Sequence, residues 1–168
     1  MKKDFIVYKE SNKFAAWPAG YICEHWGEEI LASYLVCDYL NAERGHHFIR
    51  ENPWYVYTSR STDNGKTWSH EKTNLDDPAP SQQLRCPEII KEFEGKLDFT
   101  HPDMVLFFNM SGAKDFDYSW WNYSTDRGKT WSDPYNFPKM EGFDLPLNMR
   151  TAYMVLNSDE ILLFGSCQ

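Results

Sequence analysis

STDNGKTW spans residues 61–68 and STDRGKTW spans 124–131, and seven of the eight positions are identical. The string Ser-x-Asp-x-Gly-x-Thr-Trp describes a turn. Asp63 and Asp126 can accept hydrogen bonds from backbone N–H groups a few residues on, which fixes a loop. Gly65 and Gly128 supply a positive φ that other residues resist. The hydroxyls of Ser61, Thr67, Ser124 and Thr130 can close the remaining loop bonds. Trp68 and Trp131 restart the outgoing strand and can fold their rings back onto a sheet. None of this requires a substrate. A calcium site would need several oxygen ligands, and each loop offers one carboxylate, so no metal is expected.

The flanks support a hairpin on each side. YVYTSR (55–60) and DYSWWNY (117–123) precede the two octapeptides and are rich in β-branched or aromatic residues, as strands are. SHEKT and SDPYNFP follow them and lead into Pro-containing loops. Upstream, FAAWPAGYICEHW (14–26) reads as a strand broken at Pro18 and Gly20. EEILASYLVCDYL (28–40) contains a two-sided apolar run from Ile30 to Cys37, the pattern of a strand buried on both faces. FTHPDMVLFFNM (99–110) repeats that pattern at Met104–Phe108. NMRTAYMVLN (148–157) and EILLFGSC (160–167) open a third unit without a third octapeptide. Residues 86–95 suit either a short helix, with Pro87 near its start and Gly95 at its end, or a structured loop.

Composition agrees with an all-β fold. The 168 residues include 7 Trp, 10 Tyr and 11 Phe, which favour pleated, half-buried surfaces. A net charge of −8 argues against a nucleic-acid backbone or an anionic membrane surface as the main partner. No signal-peptide pattern follows Lys2 and Lys3, so a cytoplasmic location is favoured. Cys23, Cys37, Cys86 and Cys167 lack metal-ligand spacing. Cys23 and Cys37 could face each other on neighbouring strands, but free thiols are the expectation without an export signal. NMS (109–111) and NYS (122–124) match a glycosylation pattern that carries no weight in such a chain.

The octapeptide resembles the Asp-box, or bacterial neuraminidase repeat, of sialidase-like β-propellers. In that family it forms the turn between the third and fourth strands of a blade. The resemblance implies a partial six-bladed-type propeller: blade 1 at about 5–74, blade 2 at about 86–140 and an incomplete blade 3 at about 145–168, with the remaining blades in cis. It implies a carbohydrate-directed protein whose full-length form is a glycoside hydrolase related to exo-sialidases, acting on a glycan or glycoconjugate without a cofactor. The alternative is a non-catalytic propeller that binds glycans or proteins. Such enzymes carry three arginines around a substrate carboxylate, a Tyr–Glu nucleophile pair and an acid/base Asp. The usual first-strand arginine is replaced here by Ala16-Trp17-Pro18. The catalytic candidates are therefore Arg150, His101, Asp103, His46 and His47, with Trp17 and Arg50 as substrate-binding candidates. Each has a plain structural alternative: a junction salt bridge for Arg150, a satisfied pair for His101 and Asp103, a polar loop tip for His46 and His47.

Overall fold

The computed structural model describes residues 4–16, 22–41, 43, 47–48, 52–53, 55–73, 90–110, 119–138, 142, 147–148 and 153–167. Among them every regular element is a β-strand. The chain divides into two units, Met1–Pro18 with Cys23–Gln83, and Ala19–Ile22 with Leu84–Gln168.

The first unit is one antiparallel sheet. β1 (Lys13–Ala16) and β2 (Cys23–Trp26) share one edge of the long β3 (Glu29–Asp38). Ala16 sits opposite Leu35 and Cys23 opposite Ala32, so the two short strands fill a single strand position along β3. The interruption contains Pro18 and Gly20, the residues expected to break it, which lie outside the described residues. β4 (Tyr55–Ser61) pairs with the other edge of β3, and β5 (Ser69–Lys72) closes the order β1-β3-β4-β5. β3 is the central strand, and its two-sided apolar run is buried as expected: Leu31, Leu35, Val36 and Cys37 are all nearly inaccessible. β5 is exposed along its length, and its polar sequence SHEK suits an outer edge.

The second unit is built on β6 (Val105–Met110), β7 (Ser119–Ser124) and β8 (Tyr135–Asn136), antiparallel in that order. β9 (Leu147–Asn148) pairs with β12 (Ser166–Cys167), and β10 (Tyr153–Val155) forms a hairpin with β11 (Ile161–Leu163). None of these sheets closes into a barrel. One face of β6 and β7 carries Val105, Phe107, Trp120 and Ser124, all buried. The opposite face packs Met104, Leu106 and Phe108 against Phe99, Tyr153, Ile161 and Leu163. Alternation along β6 thus sends apolar side chains both ways, the reason its sequence shows no polar face.

Residues 90–95, the described part of the stretch that suited a helix or a loop, are not helical. Lys91 forms a parallel bridge with Tyr135: its N–H donates to the Pro134 carbonyl, and its carbonyl accepts the Asn136 N–H. Long-range backbone pairing overrides the local Pro–Gly bracketing. Cys23 and Cys37 lie on neighbouring strands without facing each other, since Cys37 stands opposite Phe14 rather than Cys23; both are free thiols.

Candidate functional site

Both octapeptides form the turn between a sheet's last two strands, and they do so with nearly the same hydrogen bonds. In the first, the buried Ser61 hydroxyl donates to Asp63 Oδ1 at 2.8 Å and accepts the Gly65 N–H at 2.8 Å. Asp63 accepts the Thr67 N–H at 2.9 Å and the Thr67 hydroxyl at 2.7 Å. In the second, Ser124 donates to Asp126 at 2.7 Å and accepts the Gly128 N–H at 2.8 Å, and Asp126 takes the same two bonds from Thr130 at 2.9 and 2.7 Å. Gly65 and Gly128 have φ of 81° and 76°, as the turn requires. The Trp68 indole N–H donates to the Gly65 carbonyl, and the Trp131 ring meets Phe107 edge-on.

These bonds hold the carboxylates ionised. Asp63 is lowered to about 2, first by the Thr67 N–H and then by the Thr67 hydroxyl. Burial pushes Asp126 up, but the Thr130 N–H and hydroxyl and the Ser124 hydroxyl outweigh it and leave it at about 2. With their lone pairs engaged inside the turn, both groups act as structural anchors.

The one position that differs between the octapeptides has a role of its own. Asn64 and Arg127 both adopt left-handed backbone, with φ of 57° and 61°. The Asn64 N–H donates to the Glu28 carbonyl, and its side-chain amide reaches Glu28 Oε1 at 3.1 Å. The Arg127 N–H donates to the Asp103 carbonyl, and its Nε reaches Asp103 Oδ1 at 2.6 Å. Each turn is tied to the segment that leads into β3 or β6. Asn64 meets its acid with a neutral amide, and Arg127 meets its acid as an ion pair.

That tie gives Asp103 a structural partner. His101 stands beside it, with Nδ1 accepting the Asp103 N–H at 3.2 Å, which leaves a proton on Nε2 in the neutral ring. Asp98 caps the same bend, accepting both the N–H and the hydroxyl of Thr100. His101 and Asp103 are therefore brought together, at the octapeptide end of the sheet. His47 stacks on Tyr39 with ring centroids 6.1 Å apart, and its Nδ1 is buried without a hydrogen-bond partner. Trp17, His46, Arg50 and Arg150 lie outside the described residues. The asparagines of both glycosylation patterns, Asn109 and Asn122, are only 2% and 3% exposed, so neither side chain is open to a transferase in the folded chain.

No protein-family model, curated protein or solved structure matches the chain. Among the described residues no group of three or more His, Cys, Asp or Glu side chains could hold a metal ion, and no helix is long and apolar enough to cross a membrane.

Two side-chain clusters were not foreseen from the sequence. On the first sheet, Tyr8 lays its ring against Tyr34, Tyr57 and His70, with centroids 5.3–5.8 Å apart. Beneath it Ser59 bonds His70 Nδ1 at 2.7 Å and also pairs with the Tyr34 hydroxyl. Ser59 is wholly buried, so this Ser–His pair cannot present a nucleophile to a substrate. The second cluster is a cleft of about 300 Å³ in the second unit, lined largely by aromatic and aliphatic side chains. Its parts come from residues far apart in the chain, so no local pattern announces it.

Proposed function

We propose that this chain is a carbohydrate-directed, sialidase-like protein built as part of a β-propeller, its full-length form related to exo-sialidase glycoside hydrolases. The observation that supports this most is the twin turn: the same Ser–Asp–Gly–Thr bonding set, made twice, each time between a sheet's last two strands. A blade-repeat protein has reason to make one such turn per unit. In this reading Arg150 contributes to recognition of a substrate carboxylate or hydroxyl, and further blades supply the Tyr–Glu pair.

A second reading, a propeller that binds glycans without turnover, is favoured by a separate observation. Asp103, the acidic member of the His–Asp candidate pair, already has its carboxylate engaged by Arg127. A carboxylate oxygen bonded to Arg127 serves to hold the turn, a role that needs no turnover.

One pair of assays on the purified chain tests both. A fluorogenic sialoside should give no turnover above background. Immobilised sialylated glycans should be retained, with retention weakened by Arg150→Ala. Retention of no glycan would remove the carbohydrate reading. Turnover that disappears in Arg150→Ala would remove the non-catalytic one.

A further inference from the structure

We infer that the cleft of the second unit is a binding site for a compact apolar molecule carrying a cationic head group. This is independent of the carbohydrate reading. Its apolar lining includes Leu106, Phe108, Trp121, Phe93, Phe99 and Leu163. Its volume of about 300 Å³ reaches the lower end of the range of small-molecule pockets.

The chemistry of the lining selects the ligand. A sugar would bring many hydroxyls into this space, and each buried hydroxyl without a partner is costly. The polar side chains of the lining are those of Glu92 and Asn136, and both sit in one fixed arrangement. Asn136 donates its side-chain amide to Glu92 Oε1 at 2.9 Å, and its carbonyl accepts the Trp121 indole N–H at 3.0 Å. The backbone of Lys91 is paired to Pro134 and Asn136, which anchors the chain next to Glu92 and Phe93. Phe93 is held edge-on to Trp121 and Tyr135, at 5.1 and 5.0 Å. The site therefore offers an apolar body-binding space, aromatic side chains of the kind that attract cations, and a carboxylate among its lining. An apolar ammonium satisfies all three. An apolar carboxylate would meet Glu92 as a like charge.

The test uses naphthylethylammonium, with naphthylpropionate as its charge-reversed counterpart, titrated into the whole chain and followed by ligand fluorescence and by nuclear Overhauser contacts. The ammonium should bind saturably, with contacts to the Leu106, Ile161 and Leu163 methyl groups. It should bind about fivefold tighter than the carboxylate, the most an exposed ion pair ordinarily adds. Glu92→Gln, a change at an exposed side chain, should abolish that preference, and Phe93→Ala should weaken both ligands. Absence of saturable binding, equal or tighter binding of the carboxylate, a preference that survives Glu92→Gln, or contacts to methyl groups elsewhere would each overturn the assignment.

Discussion

Replacing Ser124 by Ala removes one oxygen from the second octapeptide and tests what the turn is made of. That oxygen accepts the Gly128 N–H at 2.8 Å and the Asp126 N–H at 3.2 Å, and its proton goes to Asp126 Oδ1 at 2.7 Å. Ser124 is 2% exposed and Gly128 is buried, so water cannot replace the lost acceptor. An orphaned buried N–H costs about 1–3 kcal/mol, and the bond lost by the carboxylate adds about 1 kcal/mol more. The expected loss is therefore about 2–4 kcal/mol. It should appear in urea unfolding as a lower midpoint with an unchanged slope. Thr125→Ala, at the neighbouring exposed position, should stay within about 0.5 kcal/mol of the parent. Ser61→Ala should resemble Ser124→Ala, because Ser61 makes the same bond to Gly65. A Ser124→Ala protein within about 0.5 kcal/mol of the parent would refute the argument that this hydroxyl holds the turn.

Two further outcomes follow from the electrostatics. Asp63 and Asp126 titrate at about 2 in the folded chain, below the ordinary carboxylate value of about 3.9, so the unfolded chain binds more protons between these values. Their stabilising contribution should be fully present above about pH 4 and be lost as pH falls through about 2, and Asp63→Asn with Asp126→Asn should flatten that slope in acid unfolding. Burial, aided by the neighbouring Asp38 charge, pushes the Cys37 thiol up to about 11; alkylation followed by mass spectrometry should therefore label the exposed Cys23 quickly and Cys37 only on unfolding.

How much of this was legible depended on how local the cause was. The octapeptide turns could be read because the Ser, Asp, Gly and Thr groups that bond within each of them lie within eight residues, whereas their ties to Glu28 and Asp103 could not. The split first strand could be read because Pro18 has no N–H to donate to a ladder and Gly20 weakens a strand, and β3 because a strand buried on both faces has no polar alternation. The extended path near Lys91 was not legible, since it depends on backbone partners at Pro134 and Asn136. The same holds for Asp103. Its acidity suggested chemistry, and only the turn geometry that delivers Arg127 shows that the carboxylate is already engaged. The cleft is the extreme case, assembled from side chains between Glu92 and Leu163 with no periodic signature. Cysteine positions illustrate a subtler limit: strand neighbourhood could be inferred, but the register that puts Ala32 opposite Cys23 could not.

The most direct test of the twin-turn account is a carbon-13 titration of the aspartate side chains in the whole chain, with Asp63 and Asp126 assigned through Asp→Asn variants. The account predicts that both carboxylates titrate together at about 2, because each accepts the same bonds from a Thr N–H, a Thr hydroxyl and a Ser hydroxyl. Two titrations near the unperturbed value of about 3.9, or one depressed and one ordinary, would contradict the claim that the repeated octapeptide builds the same turn twice.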